Sequence, residues 1–209
     1  MINRKVSGLD NIICEIEHAI ECIFDKNLKN TKFEKSENLS PDDLKKSGAV
    51  MRVNHMGEVC AQALYRGQAA FTKDKEIKKQ LYSMCEEEKR HLDLCNLRLN
   101  ELKSNRTIFN PVWYIASFSL GAFAGLKEKD WKLGFIEETE KQVKEHLDKS
   151  IEELPKSDKR SKEFLEKIAI DEEQHRNTVE KIGAEEIPTT VKRGMHLFSN
   201  IMKTITRYI

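Results

Sequence analysis

The chain has 209 residues, enough for one domain with a buried core and too few to call for a second. Only four prolines and nine glycines interrupt a sequence rich in Lys, Glu, Leu, Ile and Ala, a balance that excludes a strand-and-turn fold and points to an all-α class. A formal net charge of +1 exerts no global pull on nucleic acid, so DNA and RNA are not expected partners.

Near the N-terminus, Ile12, Ile13, Ile16, Ala19, Ile20, Ile23 and Phe24 recur at helical spacing and predict an amphipathic helix over about 10–26, with its apolar stripe as a packing face. Glu15, Glu17, His18 and Glu21 break up the isoleucines, so no secretory signal is read and the chain is expected to stay in the cytoplasm. From Lys26 to about Ser40 the chain is polar without periodicity and reads as a long loop with no functional account. Ser40-Pro41-Asp42-Asp43 supplies an N-cap and a first-turn proline, opening a helix that ends near Thr72. After the polar break Thr72-Lys73-Asp74-Lys75, a second long helix runs over about 76–102, so the two form an antiparallel hairpin.

The charge-free stretch from Pro111 to Leu126 is shorter than the ~20 residues that span a bilayer, which leaves a core helix or an in-plane membrane contact. Long helices over about 131–154 and 158–182 follow, joined by Pro155-Lys-Ser-Asp158 and closed by Gly183 and Pro188. The segment 189–209 is a basic amphipathic helix, with Val191, Met195, Phe198, Ile201, Met202, Ile205 and Ile209 on one face and Lys192, Arg193, Lys203 and Arg207 largely on others. Five cysteines, odd in number and set in apolar helical patterns, read as buried free thiols in a reducing compartment.

Glu-x-x-His puts a carboxylate and an imidazole on adjacent turns of one helix face, where both reach one metal ion. The motif occurs at Glu15/His18, Glu88/His91 and Glu172/His175, and about one copy is expected by chance in a chain this rich in Glu. Spacing selects among them. A dinuclear carboxylate site needs one further Glu from the preceding helix of each pair, at the same height in the bundle. In an antiparallel hairpin, equal height means equal distance from the turn. The midpoint between Glu58 and Glu88/His91 falls at about residue 74, and that between Glu140 and Glu172/His175 at about residue 157, both inside assigned turns. Each ligand lies about 16 residues, or ~24 Å, from its turn, so the two half-sites can face each other.

The predicted fold is therefore a ferritin-like four-helix bundle over about 41–183, with extra N-terminal, apolar and C-terminal helices in one domain spanning 1–209. Its predicted metal ligands are Glu58, Glu88, His91, Glu140, Glu172 and His175. Their mixed carboxylate and imidazole character suits iron or manganese and argues against zinc–sulfur chemistry. Glu58 with Glu172, or Glu88 with Glu140, is available to bridge two metals, and spacing leaves that choice open. The Glu15/His18 copy has no room for an upstream partner and reads as a solvated polar face.

The stretch Met51-Arg-Val-Asn-His-Met-Gly-Glu-Val-Cys-Ala-Gln-Ala-Leu-Tyr-Arg-Gly-Gln68 resembles the first ligand helix of the demethoxyubiquinone hydroxylase family. So do Glu86-Glu-Glu-Lys-Arg-His91, Gly134-Phe-Ile-Glu-Glu-Thr-Glu-Lys-Gln-Val143 with His146, and Asp171-Glu-Glu-Gln-His175, in order over roughly 40–209. The resemblance implies the same six ligands, two ferrous ions, and O2-dependent hydroxylation of the ring of a polyprenyl demethoxy-quinol in ubiquinone biosynthesis. The quinol, or NADH through it, would supply electrons, and His146 is either close to the quinone as a catalytic residue or a histidine behind the ligands or at the surface. It also implies peripheral docking on the cytoplasmic face of the cell membrane, through Trp113, Tyr114 and Phe118 at the interface and Lys192, Arg193 and Lys203 on anionic lipid. A second copy or a ubiquinone-biosynthesis accessory protein is a further expected partner. The competing readings are another ferritin-like oxidase, tRNA-modifying or a peroxidase, and non-catalytic iron storage or ferroxidation. Near-neutral charge disfavours the tRNA substrate, and a charge-free segment beside a basic terminal helix does not suit a storage cage.

Overall fold

In the computed structural model, which describes residues 8–24, 38–127, 129–181 and 184–209, the chain forms α1 (Gly8–Phe24), α2 (Pro41–Phe71), α3 (Lys75–Glu101), α4 (Asn110–Gly125), α5 (Lys129–Glu153), α6 (Lys159–Lys181) and α7 (Thr189–Tyr208), and no strand among the described residues. The loop expected over 26–40 and the Gly183 stop lie largely outside the described residues. Local chemistry sets the ends. Ser40 Oγ accepts the Asp43 N–H at 3.1 Å ahead of Pro41, and Asp74 Oδ1 accepts from Glu76 N and Ile77 N.

Two antiparallel hairpins, α2–α3 and α5–α6, pack together as an all-α, ferritin-like bundle. One apolar cluster, including Tyr65, Leu81, Met84, Phe135 and Ile136, fills one end. Another, including Val50, Met51, Leu99, Leu147, Leu165 and Ile168, fills the other. In every bundle helix the predicted ligands lie along the chain between, or at the border of, residues of these clusters. The hairpins are held in register by Arg98, which is fully buried on α3 and reaches Asp158 Oδ1 at 2.6 Å and Ser161 Oγ at 2.7 Å at the start of α6. Glu101 takes Arg98 at 2.9 Å and Arg160 at 2.7 Å, so no charge in this buried group is left without a counter-charge.

α1, α4 and α7 form an outer layer over α2. Tyr114 and Phe118 of α4 pack on Ala19, Cys22 and Ile23 of α1, while Trp113 of α4 meets Phe198 and Met202 of α7. α4 sits so close to α2 that a Cβ at Gly121 would stand 2.0 Å from the Leu64 carbonyl oxygen, and one at Gly67 would stand 2.1 Å from that of Phe118.

α1 overturns two expectations. Most of its apolar stripe faces outward: Ala19 and Ile23 pack on α4, but Leu9, Ile12, Ile16, Ile20 and Phe24 are all more than half exposed. Its inner face carries Glu15 and His18, which are therefore not a solvated polar face. The reason is the surface it meets. Arg66 Nε reaches Glu15 at 2.8 Å while its guanidinium lies over the Tyr82 ring, and His18 Nε2 lies 3.7 Å from Cys85 Sγ. Burial, then Arg66, lowers His18 to about 4, so it packs there as a neutral ring. Cys22, Cys60, Cys85 and Cys95 are buried free thiols as expected, but Cys14 is exposed.

Candidate metal centre

Glu58 on α2, Glu88 and His91 on α3, Glu140 on α5, and Glu172 and His175 on α6 all converge in the bundle core, as hairpin symmetry predicts. Donor atoms of Glu58, Glu88, His91 and Glu172 lie within 4.8 Å of one another, and so do those of Glu88, Glu140, Glu172 and His175. Glu88 and Glu172 belong to both groups, a pairing different from either bridge that spacing offered. Each presents one oxygen to each side. Glu88 Oε2 is 3.1 Å and Glu172 Oε1 3.2 Å from His91 Nδ1, while Glu88 Oε1 and Glu172 Oε2 are each 3.6 Å from His175 Nδ1.

The electrostatics are those of a site built for cations. Burial raises Glu58, Glu88 and Glu140 above the usual carboxylate range, and neighbouring carboxylates add to it. Burial opposes charge on His91, but hydrogen bonds with Glu172 and Glu88 push it up to about 12. On His175 the same opposition is outweighed by Glu172 and Glu87, up to about 9. Three inward atoms, Glu88 Oε1, Glu140 Oε2 and His175 Nδ1, are buried without a hydrogen-bond partner. Oxygen and imidazole atoms gathered in two overlapping groups, three of them orphaned in one group, fit a pair of hard divalent cations.

The structure adds three residues that spacing did not single out. Asp171 Oδ2 lies 3.1 Å from His91 Nε2, and Glu87 Oε2 lies 2.8 Å from His175 Nε2. These outer carboxylates turn each Nδ1 inward and make the imidazole a better donor. Each acid comes one position before the Glu of one motif and serves the His of the other, so an acid-Glu-x-x-His repeat was the readable signal. Tyr65, fully buried, donates its hydroxyl to Glu140 Oε1. Replacing Asp171 with Asn is expected to weaken metal binding about 10- to 100-fold with little change in melting temperature of the metal-free protein, checked by metal titration and calorimetry.

Beside the cluster lies a largely apolar pocket, lined by Leu64, Leu120, Leu147, Phe198 and Met202, with Glu58 in its wall. His146 lines this pocket too, so the structure places it beside the cluster and not in it. Burial, then the Lys203 ammonium, pushes His146 down to about 3, and its Nε2 is 3.5 Å from Ser150 Oγ. It is a neutral imidazole at physiological pH. Lys203 also lines the pocket, Lys192 pairs with Glu186 at 2.6 Å, and Trp113 and Tyr114 are buried. Of the other side chains expected at a lipid surface, Phe118 is partly buried against Tyr114 and α1, and Arg193 is exposed.

Residues 45–208 match the family described as ubiquinone biosynthesis protein COQ7. The chain is 41% identical over 206 residues to the 3-demethoxyubiquinol 3-hydroxylase of Xanthomonas euvesicatoria pv. vesicatoria, covering 97% of this chain and 95% of that protein. It is 41% identical over 207 residues to the protein of the same name from Xanthomonas campestris, with the same coverage. The protein of that name from Xylella fastidiosa is 37% identical over 206 residues, again covering 97% and 95%. With most of the chain inside the family match, and relatives aligned over nearly their whole length, this chain belongs to the ubiquinone biosynthesis protein COQ7 family.

Proposed function

We propose that the chain works as one unit, a di-iron monooxygenase that hydroxylates the ring of a polyprenyl demethoxy-benzoquinol, 5-demethoxyubiquinol, in ubiquinone biosynthesis. The observation that carries this reading is that Glu58 belongs both to the donor cluster and to the wall of an apolar pocket. A redox centre that opens through one of its own ligands onto an apolar cavity suits an apolar ring substrate. A ferroxidase or storage site would need a polar route for ions.

Glu58, Glu88, His91 and Glu172 would hold one ion, and Glu88, Glu140, Glu172 and His175 the other, with Glu88 and Glu172 as bridges. When bound, the two irons supply O2 activation and oxygen transfer to the ring, with reducing equivalents from the quinol or NADH. The protein's own contribution is placement. The apolar walls exclude water, Asp171 and Glu87 keep the imidazoles oriented, and neutral His146 offers a ring nitrogen to a quinol oxygen.

A polyprenyl substrate lives in the bilayer, and the outer layer supplies the face to meet it. Ile12, Ile16 and Ile20 of α1, Val112, Ile115 and Phe123 of α4, and Leu197 and Ile201 of α7 are all exposed. No described helix is long and apolar enough to cross a membrane, so the proposed attachment is peripheral, on the cytoplasmic face of the cell membrane. A second copy or an accessory protein of the pathway would compete for this face.

The test is turnover of demethoxyubiquinol in vesicles by iron-loaded protein under 18O2 with NADH. A ring product carrying one labelled atom is expected. Iron oxidation without that product would overturn the reading.

A further inference from the structure

The two halves of the cluster follow one pattern, and Tyr65 breaks it. Tyr65 lies on α2 seven residues after Glu58, yet its hydroxyl donates across the bundle to Glu140 on α5. The matching position, seven residues after Glu140, is Leu147, which has no donor and lines the pocket that Glu58 borders. The two outer glutamates are therefore unlike. Glu140 has Oε1 committed to the Tyr65 hydroxyl, and its Oε2 is the orphaned atom. Among the described residues, the polar partners of Glu58 are cluster members such as His91 and Glu88.

We propose that Tyr65 is a positioning residue that makes the two half-sites unequal: it holds Glu140 to one oxygen, so that the Glu140 half is rigid and the Glu58 half rearranges and meets the substrate. This rests on the metal reading above. A carboxylate with one oxygen held by a charge-assisted hydrogen bond offers a cation only the other, and cannot swing without breaking that bond. A carboxylate with no such tether, at the wall of a cavity, can change from one-oxygen to two-oxygen contact and open a position toward the cavity. Oxygen chemistry belongs at the half that borders the pocket.

The experiment is a Co2+ titration of metal-free protein, followed by visible absorption and calorimetry, on wild type, Tyr65→Phe, Glu140→Gln, Glu58→Gln and the Tyr65→Phe/Glu140→Gln pair. Wild type should bind two ions in separable steps. Tyr65→Phe keeps the ring in its packing and should weaken one step about 10- to 100-fold, leaving the other within about twofold. Glu140→Gln should weaken that same step, Glu58→Gln the other, and the double variant should be no worse than Glu140→Gln alone. Equal weakening of both steps in Tyr65→Phe, no weakening of either, or additive losses in the double variant would overturn the proposal. If Tyr65→Phe does not fold, Glu140→Gln and Glu58→Gln still decide it, because the proposal requires each to weaken a different step and fails if both weaken the same one. Failure of wild type to bind two ions would instead overturn the metal reading itself.

Discussion

Glu88→Ala is expected to remove both metal ions and about a thousandfold or more of the hydroxylation rate, whereas Glu58→Ala removes only one ion. The difference follows from geometry. Glu88 turns one oxygen toward His91 and the other toward His175, so its loss opens both halves at once. Metal analysis after gel filtration separates the outcomes, and one ion retained in Glu88→Ala would contradict the bridging assignment. The same residue makes a second, opposite prediction for the metal-free protein. Burial, and then Glu172, raises the Glu88 carboxyl, because crowding charge into this core is costly. Glu88→Gln relieves that repulsion at nearly constant volume, so the apoprotein should melt higher than wild type while the metal-loaded protein melts lower.

Gly121→Val is the largest expected effect away from the cluster. Its Cβ would fall 2.0 Å from the Leu64 carbonyl oxygen, and a helix backbone cannot yield as a side-chain tip can. α4 must lift off α2, at a cost of about 3 kcal/mol or more. Lifting it parts Leu120 and Ser117 from the opposite side of the pocket, so substrate binding should fail even where the metals are retained. Chemical denaturation together with Co2+ binding checks both halves: lost stability with normal metal affinity is expected. Wild-type stability would contradict a backbone contact this close between α4 and α2.

How far the sequence could be read depended on what kind of geometry each feature encodes. Helix ends were legible to within a residue or two wherever a cap or proline marked them, as at Ser40-Pro41 and Thr72. The six donors were legible because distance from a turn measures height along a bundle. Height says nothing of direction around the axis, so the pair shared by both donor groups was not legible, and neither was Tyr65, whose partner lies on another helix 75 positions away. The orientation of α1 failed for a related reason. Periodicity shows that a helix has an apolar stripe, but which side faces the protein is decided by its partner, here a surface offering Arg66, Tyr82 and Gln62 to Glu15 and His18. Glu87 and Asp171 lay within reach of a pattern search, because each precedes a motif glutamate by one residue.

The crossed pairing of Asp171 with His91 and of Glu87 with His175 carries a consequence for ancestry. Each hairpin lacks what the other provides, so neither is a functional unit, yet two identical hairpins facing each other about a twofold axis would satisfy every one of these contacts. A self-associating half-length chain is thus a sufficient starting point for the centre. Such an assembly could not place a tyrosine at one of these positions and a leucine at the other. In a single polypeptide position 65 and position 147 can differ, as Tyr65 and Leu147 do, and with them the two sides of the centre.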